Sequence, residues 1–403
     1  METATHGRAA WALARYALLG LFSFSLTAIG PMAPALRSEF GLSYTLAGLH
    51  QTAFALGMVA TGLFGGPLIE RWGLARSMWG GMLVMLAGEA VLSLAPSVAF
   101  TLGGILVASL GATLSMSAVQ ASLAAEPAER RSRMILEGNM TASAVSMVVP
   151  LVLLAGTRLG LGWRIVGPVA ALAFLAIAGL GLRHTPPDAA PRKPGPLAPG
   201  SVPDAGPARP RTAPRLGAAY ARMWLALFLG VAVEWAIGFW AMSYILEKPG
   251  SGPAFASAAV AGLGLAAVLA RFVASRLGHR LGEGRSLALS FALALAGFPL
   301  YWLAPSPLAA AAGLFVAGFG AANLYPLAFS LAVSRAPHAL ARASALVPVA
   351  SGSAIGLAPF LLGRLSDAVG MKAALLSVPI GALLAFALLA YDRAALARER
   401  GRS

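Results

Sequence analysis

The chain has no cysteine among its 403 residues, which excludes a disulfide framework and any thiolate metal site. It is also poor in charge. Only 11% of its residues are charged, against about 25% in an ordinary soluble domain. Acids are scarcer still, at 15 against 30 basic residues, and only 3 of the bases are lysine. The arginines sit in short clusters between apolar runs instead of along one face, so the formal charge of +15 does not point to nucleic acid. The sequence shows no phosphate loop, metal cluster or nucleophile triad. The glycine-rich "GLGLAA" at Gly262 to Ala267 lies inside an apolar run without a preceding strand, so it is no nucleotide fingerprint. Segments of about ten residues alternating in polarity are missing too, which argues against a membrane β-barrel.

What the chain has in abundance is apolar length. Hydrophobic residues make up 58% of it, and crossing a bilayer takes about 20 mostly apolar helical residues. Twelve stretches meet that length, at 12–35, 45–69, 77–95, 97–122, 132–156, 163–182, 217–246, 254–276, 286–304, 307–334, 341–363 and 372–391. The first run is too long for a cleavable signal peptide and reads as the first span. The loops after odd-numbered spans hold Arg37, Arg158, Arg164, Lys248, Arg364 and Lys372, leaving 24 basic residues on the opposite side. The positive-inside rule then puts both termini in the cytoplasm of a bacterial inner membrane. Arg15, Arg222 and Arg276, nearest the span ends, can snorkel to that surface.

The expected architecture is all-α: a six-helix bundle over 1–183, a proline-rich linker over 184–216, and a second bundle with a short basic tail over 217–403. The linker carries ten prolines between His184 and Arg215 and has almost nothing apolar to bury, so it is expected to be disordered and cytoplasmic. The halves read as copies. At an offset of 209, Arg71, Gly73, Arg76 and Ser77 match Arg280, Gly282, Arg285 and Ser286, while Arg133 matches Arg342 and Pro150 matches Pro359. Near that register, "GWR" at Gly162 lines up with "GMK" at Gly370. Parallel six-span repeats place a substrate site near the midplane between them.

With "GPLIERWGLAR" at Gly66 to Arg76, the sequence resembles the major facilitator superfamily and its G-x-L-x-D-R-x-G-x-x-R loop, with Glu70 in the acid's place. The second copy, Ser275 to Arg285, keeps Arg280, Gly282 and Arg285 but has His279 at the acidic position. The resemblance implies a gating contact at Glu70 and Arg71, in the first half only, the alternative being that these residues are positive-inside anchors. Read physically, Gly66 ends a helix, Gly73 permits a tight turn, and Glu70 can pair with Arg71 and Arg76 across helix ends. The second half is most similar to the fucose-permease-like sugar and proton symporters, through "EWAIGFWAMSYILE" at Glu234, Ala270 with Arg271, "NLYPLAFSLA" at Asn323 and "GLAPFLLGRLSDAVG" at Gly356. That branch implies acids in spans one and four, where this chain has none before Glu126. The span-four arginine of drug and proton antiporters is absent from "GGILVASLGA" as well.

Ionisable groups inside a bilayer are costly and usually face the bundle interior, so they nominate the site. Glu234 is the one charge between Trp224 and Leu246. It stands about 18 Å along the helix from Arg222, with Gly230 and Gly238 one turn to either side, Ala241 beyond and Tyr244 at the edge of the same face. It can bind a proton, a substrate or a neighbouring helix. Trp235 is expected to line a cavity in part. In the repeat register Glu234 maps to Ser25, so the first half's leading span has no matching acid. Glu137 and Asn139 in span five are cavity candidates or partners of Arg133. Glu89 in span three is a further candidate, its alternative being a bond to a neighbouring helix. His50 and Gln51 open span two on the outer side, to meet a substrate or to sit at the headgroups. Arg271 either snorkels near the end of span eight or gates an anion, with Arg280 further along. Asn323 and Tyr325 precede a kink at Pro326, where freed carbonyls can bind a ligand.

The expected function is secondary transport of a small polar, sugar-like solute by alternating access, coupled to the proton gradient, with no cofactor, no metal and no enzymatic activity. A monomer in the lipid bilayer is expected, with the solute as its ligand. Export of amphipathic compounds is the alternative within transport. A sensor on a transporter scaffold is the alternative of another class.

Overall fold

The computed structural model describes residues 2–185 and 216–400. The linker expectation therefore falls outside the described residues, apart from its edges. The first half holds α1 (Glu2–Phe40), α2 (Tyr44–Trp72), α3 (Leu74–Ser93), α4 (Val98–Ala124), α5 (Ala128–Arg158) and α6 (Val166–Gly181). The second holds α7 (Ala218–Leu246), α8 (Pro253–Leu281), α9 (Glu283–Trp302), α10 (Pro307–Ala321), α11 (Leu324–Ser334), α12 (Leu340–Val369), α13 (Met371–Ala374) and α14 (Ser377–Arg400). Among the described residues, eleven stretches are long and apolar enough to cross a membrane, α10 with α11 forming one and α13 with α14 another. The twelfth crossing is α3, whose hydropathy is diluted by Arg76, Glu89 and three glycines.

Successive crossings run in opposite directions, so both termini and the α2–α3 and α8–α9 turns share one end of the bundle, the terminus end. The other is the far end. The duplication seen in the sequence reappears as packing. Within the first half α1 packs on α5 and α6, α2 on α4, and α3 on α4; within the second, α7 packs on α12 and α14, α8 on α10, and α9 on α10. Across the halves the pairs are α2 with α12, α5 with α8, and α1 with α7.

Lipid supplies no hydrophobic drive for helix association, so close backbone approach must supply dispersion contacts instead. Gly88 of α3 lies against Gly104 and Ala108 of α4, and Gly297 of α9 lies against Ala317 of α10, where any Cβ would overlap backbone. These residues obey the offset of 209: Gly88 pairs with Gly297 and Ala108 with Ala317. Large apolar side chains turn outward instead, such as Leu172 and Leu175 of α6 and Leu383 and Leu384 of α14.

The signature turn differs from expectation in one detail. Helix α2 continues through Gly66 and Pro67, and it ends at Gly73, where φ is 89° and the N–H donates to Ile69 O at 2.8 Å. Gly282 repeats this turn with φ 74°. A positive φ is open to glycine at little cost.

Candidate functional site

The halves meet most tightly at the far end, where α12 caps α2. The Asp367 carboxylate accepts from Tyr44 N and Thr45 N, each at 2.8 Å, and from Thr45 Oγ1 at 2.5 Å. Ser43 Oγ takes the next donor, Leu46 N, at 3.2 Å. Two capping groups, one from each half, thus satisfy three of the N–H groups that open α2. Tyr44 Oη donates to Glu247 Oε1 at 2.6 Å, and the Arg37 guanidinium lies 3.3 Å from the Tyr44 ring centre. Outside this seal lies a vestibule of about 390 Å³ lined in part by Arg37, Tyr44, Ser243 and Glu247.

One step deeper, Thr52 Oγ1 donates to Gly356 O at 2.7 Å and Trp240 Nε1 donates to Pro359 O at 3.1 Å. Gly48 lies on the Pro359 carbonyl, where a Cβ would stand 2.6 Å away, so α2 and α12 touch backbone to backbone. The contacts of α2 with α12 run from the far end to the middle of both helices, through Gly356 on Ala55 to Gly352, where a Cβ would stand 3.9 Å from Val59. The interface is closed at the far end.

Glu234 stands about 24 Å along α7, a helix about 43 Å long at 1.5 Å per residue, just past the middle. It is partly exposed. Gly230 beside it touches Leu324, and Gly238 leaves room up to Leu263 of α8. Arg271 of α8 donates through Nη1 to Ser143 Oγ of α5 at 2.8 Å, across the interface. Ser143 in turn donates to Asn139 O at 3.0 Å. Asn139 and Arg271 are exposed. Trp235 is partly buried against the core, and Tyr325 is 39% exposed.

Other nominated residues are held within one half. Glu137 accepts from Arg133 Nε at 2.7 Å and from Tyr16 Oη at 2.8 Å. Asn323 fills the two-residue break between α10 and α11, is buried, and donates through Nδ2 to Ala270 O at 3.1 Å, next to Arg271. Tyr244 is buried and donates to Trp302 O at 2.7 Å. His50 is buried, with Nδ1 2.8 Å from Leu46 O and Nε2 2.8 Å from Thr101 Oγ1. Gln51 is buried beside it. Glu89 of α3 is also buried, and its Oε1 accepts from Ser25 Oγ of α1. At the terminus end Glu70, Arg71 and Arg76 are exposed, and Arg280 lies in the last turn of α8.

Sequence reasoning missed Asp367, Tyr44, Thr45 and Ser143. For Tyr44 and Thr45 a signal existed, since Ser43 directly before an apolar run is an N-cap pattern. It also read Arg15 and Arg222 as free to snorkel. The structure pairs Arg15 with Glu126 at 2.7 Å, and Arg222 with the buried Asp392 at 3.2 Å, which Arg335 joins at 2.8 Å.

The Major Facilitator Superfamily profile matches residues 16–359 and 223–402. The chain is 29% identical over 167 residues to membrane protein MosC of Rhizobium meliloti, a match that spans 41% of this chain and 41% of that relative's length. In fold it is similar to a bacterial homologue of the human lysosomal transporter Spinster (TM-score 0.75, 14% identity, 96% of this chain and 97% of that one). It is similar also to the transporter FucP (0.61, 17%, 94% and 98%). A third likeness is a POT family transporter in complex with 5-aminolevulinic acid (0.72, 13%, 95% and 96%).

Proposed function

The chain belongs to the Major Facilitator Superfamily, and from that premise we propose that it is a secondary active transporter, not an enzyme, which moves a small polar, sugar-like solute by alternating access coupled to protons. The observation that carries this reading is the closed far end. Contacts between the halves are dense there, and Glu234 stands part-exposed at mid-depth between them. A pathway sealed on one side with a carboxylate at its centre is what alternating access with ion coupling requires.

The arginine bias, with 24 of 30 basic residues on the terminus side, supports placing that side in the cytoplasm. The state described is then closed on the opposite side. Glu234 is assigned the proton, because a charge at mid-membrane depth is expensive and a carboxyl can discard it by protonation. Arg271 of α8, a helix packed on α7, is bonded to Ser143 and so ties this half to the opposite one. The part-exposed rings of Trp235 and Tyr325 support a sugar-like solute, since a flat aromatic face stacks on a pyranose ring. The likeness to FucP adds support for the fold alone.

The test is proton uptake into proteoliposomes loaded with a pH-sensitive dye, challenged with a panel of hexoses, deoxyhexoses and polyols. One class should evoke uptake in the wild type. Glu234→Gln should abolish uptake while solute counterflow persists. Uptake that survives the substitution with its pH dependence intact would refute the coupling role.

A further inference from the structure

The repeat register matches Glu234 of α7 with Ser25 of α1, and serine cannot carry a proton in its place. The fold nevertheless puts a carboxyl there. Glu89 of α3 reaches across to α1 and places Oε1 on Ser25 Oγ. The residue that matches Glu89 in the second half is Phe298, which is buried and apolar. The two halves therefore each hold one acid at the same depth beside their first helix. The second half carries it on α7 itself, and the first delivers it from α3.

We propose that Glu89 is a second proton-binding group of the transport cycle, the first half's counterpart of Glu234, reached from the far end when the interface opens there. Its surroundings suit a proton and little else. The side chain is 2% exposed, and Oε2 has no hydrogen-bond partner. On the helices beside it, α4 holds no acid, base or histidine from Val98 to Ala124, α6 none from Val166 to Gly181, and α1 none from Ala17 to Leu36. Helix α2, which also touches α3, carries His50, whose Nε2 lies 2.8 Å from Thr101 Oγ1 of α4, and the short turn Gly162–Ile165 carries Arg164, bound at 2.6 Å by Glu39. A carboxylate there would have one hydroxyl donor for a full charge. The neutral acid costs less, since Oε1–H can donate to Ser25 Oγ and what is left without a partner is a carbonyl oxygen and not a charge.

Gly30 of α1 lies on the backbone of Phe239 of α7, where a Cβ would stand 2.8 Å from Phe239 Cα, so α1 takes part in the closed far end. Ser25 is five residues from that contact, about 7.5 Å along α1 and about 140° around it, on the side that faces α3. In the state described here Glu234 is part-exposed and Glu89 is sealed.

The role in transport rests on the proton-coupled reading above, but protonation itself is tested apart from it. The full chain in lipid nanodiscs is followed by infrared difference spectroscopy of the carboxyl C=O band across a pH titration. In difference spectra of wild type against each variant, one titrating component should be lost in Glu89→Gln and another in Glu234→Gln. Ser25→Ala, which keeps both acids, should shift only the Glu89 component, and Glu89→Asp should restore one. Exchange of the Glu89 band in D2O should be slow in wild type and faster in Asp367→Ala, which loosens the far end. A band that disappears in Glu89→Gln but never titrates in wild type would make Glu89 a structural acid and overturn the proposal. Loss of titration at Glu234 alone would sink the earlier reading and leave this one standing.

Discussion

Asp367 of α12 caps α2 across the closed far end, so Asp367→Ala should open it. Its carboxylate accepts from two backbone N–H groups of the first turn of α2 and from the Thr45 hydroxyl, and all three donors belong to the opposite half. Loss of a capping side chain costs about 1 kcal/mol and at most about 2. An anion at a helix N-terminus adds about 0.3–1 kcal/mol, and the exposure of this site keeps that addition at the lower end. The sum is about 1.5–2 kcal/mol, felt only while the halves touch, because water replaces the carboxylate once α2 and α12 separate. At 1.4 kcal/mol per factor of ten, the ratio of far-end-open to far-end-closed molecules should rise about 10- to 30-fold. Asp367→Asn keeps one acceptor oxygen and should give about half the free-energy change. The absence of native cysteine makes the assay clean: spin labels at Ser38→Cys and Ala373→Cys, both exposed at the far end, report the distance between halves in nanodiscs. The variant should gain a longer-distance population. Distance distributions that overlay on those of the parent would show that the cap does not hold the closed state.

Two further substitutions test the packing. Gly88→Val and Gly297→Val place side chains into backbone at matching sites of the two halves, so each should destabilise by about 1–3 kcal/mol or more. Gly103→Val, at a position with open space around it, should leave the thermal unfolding midpoint in detergent unchanged, and equal losses at all three sites would discredit the packing account. Asp392→Asn removes the buried charge shared by Arg222 and Arg335, and thermal unfolding should report a loss of about 3 kcal/mol. A melting point within error of the wild type would mean that the two guanidiniums are solvated without their partner.

The legible parts of this protein are those set by period and length. Apolar runs of about 20 residues gave the crossings, and an offset of 209 found in a few loop residues extends to the glycines at the α3–α4 and α9–α10 contacts. Glu234 stood out for the same reason, as one charge in a long apolar run. Interactions between distant segments were not legible. Asp367 lies more than 300 residues from Thr45, and nothing local marks it as a cap. Arg15 and Arg222 looked like surface anchors because their partners, Glu126 and Asp392, lie more than 100 residues away.

The sequence alone determined the solvent, the twelve helices and their duplication, because these follow from how much apolar length each segment must bury. Tertiary structure decided which end of the interface is closed, which helix supplies the cap, and where each acid stands. Glu89 illustrates the division. Its chemistry was plain from the sequence, but only the hydrogen bond from Ser25 of α1 to Glu89 of α3 showed that it stands in the place of the acid that Ser25 does not provide.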